Sequence, residues 1–85
     1  LKTTHEFPRE RLPQLFQWLK VKEKGIETDE RDGVRFNFPD GSWAHVRGSG
    51  TEPIVRLILE ARTPEKAAQI QKSFREEIES LAGVW

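Results

Sequence analysis

The chain has 85 residues, of which 14 are Lys or Arg and 14 are Asp or Glu, so its formal net charge is zero. A chain of this length forms at most one domain, and we expect residues 1–85 to fold as a single unit. The balance of charge argues against nucleic acid and against an anionic membrane as partners, because both attract a basic excess. Cysteine is absent, which excludes disulfides and thiolate metal sites.

The chain begins at Leu1 and contains no methionine. Because translation starts with methionine, we expect the chain to be a fragment of a larger protein. No signal-peptide pattern opens it, and no apolar run approaches the ~20 residues that span a bilayer. Together with the lack of cysteine, these features fit a cytoplasmic protein.

A strand followed by a helix is predicted at the start of the chain. Residues 1–7 favour a strand, which Pro8 ends. In residues 9–20 apolar side chains recur three, four and seven positions apart, which indicates one face of a helix. Pro13 fits only in or near the first turn, so the start of the helix stays open between Pro8 and Leu12.

The next stretch predicts a loop and then a β-hairpin. Residues 21–32 are mostly polar and charged, which indicates a solvated loop with 26–28 as a candidate edge strand. Residues 34–38 alternate between apolar and polar, the pattern of a half-buried strand. The Pro-Asp-Gly-Ser sequence at 39–42 predicts a hairpin turn, because Asp and Gly tolerate a left-handed backbone. Residues 43–47 form the returning strand.

This returning strand has two candidate inner faces. Trp43, His45 and Arg47 share one face, and Ala44 and Val46 share the other. We favour Ala44 and Val46 as core residues. That choice leaves Arg47 on the opposite face or at the mouth of the loop that follows.

The last third of the chain predicts a central strand and a long helix. Residues 54–61 are the most apolar strand. Thr-Pro-Glu at 63–65 is a helix start, because Thr is a good N-cap, Pro suits the first position and an acid suits the first turn. An apolar stripe continues to about Leu81, and Gly83 ends the helix. The order of elements predicts an α+β fold, a two-layer sandwich in which a four-stranded antiparallel sheet carries two helices on one face.

The loop at 47–53, Arg-Gly-Ser-Gly-Thr-Glu-Pro, contains the parts of an anion-binding loop. Glycine reaches positive φ without penalty, so backbone N–H groups can converge on one point. The Arg47 guanidinium matches phosphate oxygens, and the hydroxyls of Ser49 and Thr51 can donate to the remaining ones. A plain β-turn is the alternative for a Gly-Ser-Gly-Thr sequence, and the flanking Arg47 and Pro53 favour the anion loop.

The loop and its flanking strands resemble the C-terminal domain of the α-D-phosphohexomutases, which comprise phosphoglucomutases, phosphomannomutases and phosphoglucosamine mutases. The matching residues are Asp-Gly-Val-Arg-Phe at 32–36, Asp-Gly-Ser-Trp at 40–43, the loop at 47–53, Arg56 and Glu-Ala at 60–61. The resemblance is sharp over about 33–61, looser through the final helix, and limited to element order before that. It implies a fold like that of the TATA-box-binding protein.

The resemblance also implies a site for the non-reacting phosphate of a phosphosugar. Its residues would be Arg47, Ser49, Gly50 (through its backbone N–H) and Thr51. Arg56 keeps two interpretations, a further phosphate contact or a surface strand residue. Gly48 stands where Pro is common in the family, which is expected to loosen the loop slightly. No catalytic residue and no metal ligand is expected in this chain.

The parent enzyme implied by the resemblance is a phosphoglucomutase or phosphomannomutase that interconverts hexose 1-phosphate and hexose 6-phosphate. The family works through an enzyme phosphoserine and a bisphosphorylated sugar, with Mg²⁺ assistance. The sequence contains neither the phosphoserine loop, nor the acidic magnesium run, nor the sugar-reading loop. We therefore expect upstream domains of the same polypeptide to supply them. Mg²⁺ and a hexose 1,6-bisphosphate would be cofactors of the parent, with none bound by this domain alone, which would be inactive in isolation.

Two alternatives stay open beside this interpretation: a phosphoglucosamine mutase domain, and a free-standing anion-binding or interaction module without catalysis. The remaining candidate residues favour structural roles. His5 and His45 have no acidic partner at metal-ligand spacing, which favours surface or strand positions. Trp18, Trp43 and Trp85 could stack on a sugar, but packing in a core or a domain interface is the commoner role of tryptophan.

Overall fold

The computed structural model describes residues 1–83; Trp85, one of the three tryptophans considered for sugar stacking, lies outside the described residues. The elements are β1 (Lys2–Glu6), a 3-10 turn (Arg9–Arg11), α1 (Leu12–Lys22), β2 (Glu27–Asp29), β3 (Val34–Asn37), β4 (Trp43–Gly48), β5 (Ile54–Glu60) and α2 (Pro64–Ala82). Within residues 1–83, neither helix combines the length and the hydropathy that crossing a bilayer requires.

The five strands form one antiparallel sheet in the order β1-β5-β4-β3-β2. The prediction of four strands is wrong by one, because β2 pairs with the outer edge of β3. The sequence offered 26–28 only as a candidate edge strand, since an edge position lets polar side chains stay solvated. The first strand, by contrast, crosses to β5, where the Leu1 amino group donates to the Leu59 carbonyl at 3.1 Å.

The core lies between the inner face of the sheet and the two helices, as the two-layer α+β sandwich predicts. Ala44 and Val46 are fully buried, which confirms the predicted inner face of β4. Phe36 of β3 meets Phe74 of α2 edge to face, with ring centroids 5.4 Å apart. The other buried apolar residues are Phe7, Leu15, Leu19, Val34, Val55, Leu57, Leu59, Ile70 and Ile78.

Both helix starts follow from local sequence. Helix α1 begins at Leu12 and holds Pro13 in its first turn, which resolves the start left open by the sequence. Helix α2 begins at Pro64, and the Thr63 side chain accepts a hydrogen bond from the Lys66 backbone N–H at 3.1 Å. The Thr63 cap predicted from the sequence is confirmed.

The hairpin turn between β3 and β4 is built as the sequence predicts. Gly41 has φ +93°, a conformation that favours glycine. The Asp40 carboxylate accepts hydrogen bonds from the Ser42 backbone N–H and from the Ser42 hydroxyl, and this lowers the pKa of Asp40. The hydrogen bonds leave Ser42 satisfied although it is only 2% exposed.

Candidate functional site

The sheet face opposite the helices carries the candidate site. Arg47 of β4 lies directly opposite Arg56 of β5 in the antiparallel register, and Thr4 of β1 is the next residue across the sheet. Like charges placed directly opposite each other in a sheet are destabilising. The pair therefore creates a positive potential that a bound anion would offset.

A cavity of about 250 Å³ opens at this point of the sheet. Its lining residues are Lys2, Thr3, Thr4, Arg47, Ser49, Gly50, Arg56 and Ile58. The lining thus combines three cationic side chains with hydroxyls and a glycine backbone, which are the donors that phosphate oxygens accept from. No carboxylate belongs to the lining.

A larger groove of about 910 Å³ lies at the end of the sheet beside Pro8 and Pro53. Glu6, Glu10 and Glu52 line it with a single cation, Arg9. An excess of carboxylates repels an anion, so size alone does not make this groove the candidate site.

The structure brings most of the predicted site residues together. Arg47, Ser49 and Gly50 line the cavity, and so does Arg56, whose role the sequence left open. Thr51 is exposed and lies outside the lining, where its backbone N–H donates to the Ser49 hydroxyl oxygen. The predicted residues therefore form one cluster with Thr51 at its outer edge.

The sequence did not indicate the residues that β1 contributes, Lys2, Thr3 and Thr4. They reach the cavity only because β1 pairs with β5, with Lys2 opposite Ile58 and Thr4 opposite Arg56. The alternation of Lys2 and Thr4 on one strand face was visible in the sequence, but nothing local indicated which strand would be its neighbour.

The loop keeps its shape through the Ser49 side chain. The Ser49 Oγ accepts hydrogen bonds from the backbone N–H groups of Thr51 at 3.3 Å and Glu52 at 3.2 Å. Its hydroxyl proton is then left to donate to an anion, since a hydroxyl offers one donor besides its acceptor positions. Within residues 1–83, the Gly50 N–H has no hydrogen-bond acceptor, so it too is available to a ligand.

The expected use of the loop glycines is wrong. Positive φ within residues 1–83 occurs at Gly25, Gly33 and Gly41, and at no residue of the loop. Gly48 lies inside β4, where an added Cβ would come within 2.5 Å of the Leu12 Cδ1 atom. Its lack of a side chain therefore leaves room for Leu12 of α1, a partly buried residue that packs against the core.

The Arg47 side chain is held from one side by an acid. Its Nε atom lies 3.5 Å from the Asp32 carboxylate, and this nitrogen is inaccessible to solvent and has no hydrogen-bond partner. The Asp32 backbone carbonyl in turn accepts a hydrogen bond from the His45 ring. His45 is thus engaged with the backbone, in agreement with the strand role that the sequence favoured.

The described tryptophans contact protein groups outside the cavity, whereas His5 contacts Thr3, one of the lining residues. The Arg35 guanidinium lies 4.2 Å from the Trp43 ring centroid, and the Trp43 Nε1–H donates to Glu60 at 3.2 Å. Trp18 is 46% exposed and donates to Glu77 of α2. The His5 Nε2 and the Thr3 hydroxyl share a hydrogen bond of 2.8 Å, and burial lowers the pKa of His5.

The described part of the chain has no set of side chains that fits the ligand requirements of Mg²⁺. Among residues 1–83, no group of three or more His, Cys, Asp or Glu side chains is placed to hold a metal ion. The donors of the cavity are cationic or neutral, and cations repel a metal ion. What the arrangement can do chemically is bind and orient an anion.

The molecule is an α+β domain with a cationic cavity on the sheet face opposite its helices. Over residues 8–77 the chain matches the family model described as the C-terminal domain of phosphoglucomutase/phosphomannomutase. The chain belongs to this family of domains, which confirms the resemblance carried by the 47–53 loop.

Similar full-length proteins carry the names of several hexose phosphomutases. A protein named "Probable phosphoglucosamine mutase" from Methanothermobacter thermautotrophicus is 50% identical over 52 residues, which is 61% of this chain and 12% of that protein. The protein of the same name from Methanopyrus kandleri is 36% identical over 76 residues, 87% of this chain and 17% of that protein. A "Phosphoglucomutase/phosphomannomutase" from Thermococcus kodakarensis is 48% identical over 49 residues, 58% of this chain and 10% of that protein. The matched segments are thus less than a fifth of these relatives' lengths.

Proposed function

We propose that this chain is the domain of a phosphoglucomutase/phosphomannomutase that holds the non-reacting phosphate of the sugar. The observation that carries the proposal is the convergence of Arg47 and Arg56 with the Ser49 hydroxyl and the Gly50 N–H around one cavity. Such charge-assisted donors are the strong partners of phosphate oxygens.

Each residue of the site has its own role in binding the phosphate. The guanidinium groups of Arg47 and Arg56 neutralise the phosphate from two adjacent strands. Ser49 donates its hydroxyl and Gly50 its backbone N–H, and Thr51 adds a hydroxyl from the outer edge of the cavity. Lys2 of β1 supplies a third positive charge.

Holding the remote phosphate serves catalysis at the other end of the sugar. Binding energy from a non-reacting group orients the reacting one, which raises the rate of the chemical step. A mutase must accept its sugar in two opposite orientations. A site that contacts only the phosphate group accepts either end of the sugar, and we call this set of residues (Arg47, Ser49, Gly50, Thr51 and Arg56) the phosphate clamp. The clamp therefore serves both half-reactions without itself reacting.

The proposal places the chemistry elsewhere in a longer polypeptide. The phosphoserine, the Mg²⁺ site and the sugar-reading loop are assigned to upstream domains, and a hexose 1,6-bisphosphate is the intermediate handed between the half-reactions. Residues 1–83 contain no group of three or more side chains placed to hold Mg²⁺. Residues 1–85 would then act as one substrate-binding domain of a cytoplasmic enzyme.

Phosphoglucosamine mutase is the alternative parent, and the names of the Methanothermobacter and Methanopyrus relatives favour it. The clamp reads phosphate and does not distinguish the two sugars. Measuring kcat/KM of the longer polypeptide on glucose, mannose and glucosamine phosphates separates the two. A higher kcat/KM on glucosamine phosphate would identify a phosphoglucosamine mutase and contradict the assignment to a phosphoglucomutase/phosphomannomutase.

The binding role is tested by titrating the chain with inorganic phosphate and following backbone amides by NMR. We expect the amides of Ser49, Gly50 and Thr51 to shift with millimolar affinity, since a few charge-assisted contacts contribute about 1.5–3 kcal/mol each against the cost of association. Arg47→Met and Arg56→Met should each weaken binding about tenfold, equivalent to ~1.4 kcal/mol.

Arg31→Met is the matched control for these variants, because Arg31 pairs with Asp29 at 2.6 Å outside the cavity. It removes one positive charge without removing a proposed ligand and should bind phosphate nearly as well as the wild type. Shifts that spare Ser49, Gly50 and Thr51 while moving other amides would show that the site is misplaced. Mutase turnover by the 85-residue chain alone would contradict the division of labour between domains, whereas a parent without mutase activity would favour a free-standing binding module.

A further inference from the structure

Within residues 1–83, Asp32 is the only acid whose carboxylate lies within 4 Å of a cationic side chain of the cavity. Asp32 lies two residues before β3, next to Gly33, and its carboxylate is 3.5 Å from the Arg47 Nε. The neighbouring charges of the same loop are paired with each other or with α1: Asp29 with Arg31 at 2.6 Å, and Glu30 with Lys20 at 3.0 Å. Within the described residues, Arg47 is the only cation that lies within 4 Å of the Asp32 carboxylate.

The backbone of Asp32 is fixed from two directions. The His45 ring donates from Nε2 to the Asp32 carbonyl, since a carbonyl can only accept. Gly33 has φ +65°, and an added Cβ there would lie 2.2 Å from the Val46 carbonyl oxygen and 2.9 Å from the Arg47 Cα. The turn therefore packs directly on the β4 backbone from which Arg47 projects.

The Arg47 Nε–H has lost its water without gaining a hydrogen bond. The nitrogen is inaccessible to solvent, and Asp32 is the only carboxylate within 4 Å of it in the described part of the chain. A desolvated donor is costly unless an anion or acceptor stands beside it. No hydrogen bond within residues 1–83 uses the two terminal NH₂ groups of Arg47, so both are available to a ligand.

We infer that Asp32 is a positioning residue for the phosphate clamp: it holds the Nε edge of Arg47 so that the terminal NH₂ groups face the bound phosphate. The inference rests on the proposed function and adds to it a residue that does not touch the ligand. Electrostatic repulsion alone predicts the opposite effect, because an acid beside an anion site should weaken the binding of the anion.

The experiment compares Asp32→Asn with Asp32→Ala in the 85-residue chain, by NMR titration with inorganic phosphate. Both substitutions remove the same charge, so their difference isolates the polar oxygen beside the Arg47 Nε–H. We expect D32N to bind at least as tightly as the wild type, because its amide oxygen keeps a polar group beside the Arg47 Nε–H without the negative charge. D32A should bind about fivefold more weakly than D32N, because it leaves the desolvated Nε–H of Arg47 with no polar group beside it.

A second measurement follows the Arg47 Nε–H signal itself. It should keep its position and slow solvent exchange in D32N and exchange faster in D32A. Asp32→Ser, which retains a turn-forming side chain but lacks the reach to Arg47, should behave as D32A does and guards against misfolding of the alanine variant. Glu30→Ala removes a charge from the same loop, and we expect it to leave the Arg47 signal unchanged.

The outcomes separate this inference from the proposed function. If the wild type binds phosphate at Ser49 and Gly50 while D32A and D32N bind equally well, Asp32 has no positioning role and the proposed function stands. If D32A binds more tightly than D32N, the inference is likewise overturned. If no wild-type amide of the loop responds to phosphate, the proposed function and the inference fall together.

Discussion

Gly33 shows at the scale of one residue how the fold depends on a missing side chain. Its φ of +65° and its approach to Val46 leave no room for a Cβ. We predict that Gly33→Ala lowers the free energy of unfolding by at least ~2 kcal/mol, because left-handed strain alone costs about 1–3 kcal/mol and the β4 backbone must also move. Urea denaturation followed by far-UV circular dichroism measures the change.

Gly50→Ala is the matched control for stability. Gly50 does not have a positive φ, and an added Cβ would meet nothing within 4 Å. Its replacement should leave the free energy of unfolding unchanged or raise it by up to ~1 kcal/mol, through a less flexible unfolded chain. Equal destabilisation by the two substitutions would refute the account given for Gly33.

At the scale of elements, Glu77 joins the two helices. It accepts hydrogen bonds from the Lys22 ammonium and from the Trp18 indole, both on α1, and these contacts lower the pKa of Glu77. A carboxyl whose pKa is lower in the folded state stabilises the fold above its unfolded pKa of about 4.3. That stabilisation is lost as the pH falls through the lower folded value.

We therefore predict that Glu77→Gln lowers the free energy of unfolding by about 1 kcal/mol at pH 7 and by less as the pH falls toward 3. Chemical denaturation at several pH values gives the two curves, which should converge in acid. Glu76→Gln changes an exposed neighbour on the same helix and should run parallel to the wild type. A constant gap between E77Q and the wild type at every pH would contradict the linkage.

The edge strand β2 shows where element prediction reached its limit. Its three residues, Glu27–Asp29, lie in a charged stretch with no alternating pattern, so the sequence indicated a loop with only a candidate strand. Pairing with β3 places Thr28 opposite Phe36 and makes the segment a strand through backbone hydrogen bonds. Backbone pairing needs no particular side chain, which is why composition did not reveal it.

At the scale of the whole molecule, a neutral chain still presents a positively charged cavity. Lys and Arg equal Asp and Glu in number, yet three cations and no acid line the cavity on the sheet face opposite the helices. Local potential depends on the arrangement of charges rather than on their sum. The zero net charge is therefore compatible with anion binding at one place.

Phosphate that binds the folded domain but not the unfolded chain should raise the melting temperature of the domain. With a Kd near 10 mM, 100 mM phosphate adds about 1.4 kcal/mol, roughly 5–10 °C for a domain of this size. Calorimetry in phosphate and in sodium chloride of equal ionic strength measures the shift. Arg47→Met should melt at nearly the same temperature in both salts, apart from the general stabilisation that phosphate gives any protein. An equal rise in wild type and variant would argue against a specific site.

The candidate site was predictable to the extent that it is contiguous in sequence. Arg47, Ser49 and Gly50 were found because their residue types follow one another between two recognisable strands. The contribution of Lys2 was not, because a distance of more than fifty residues along the chain is closed only by the pairing of β1 with β5. The loop glycines were assigned a backbone conformation they do not have, since glycine permits positive φ without requiring it.

The sequence by itself determined the alternation of the strands, the caps of α2, the hairpin turn and the run of anion-binding residues, because each depends on neighbours a few positions apart. Only the tertiary structure decided what surrounds that run. It set Arg47 opposite Arg56, brought Lys2 to the cavity and directed Asp32 to the Arg47 Nε. Those contacts depend on strand order and register, which arise from burying the whole apolar face at once and are not encoded in any single segment.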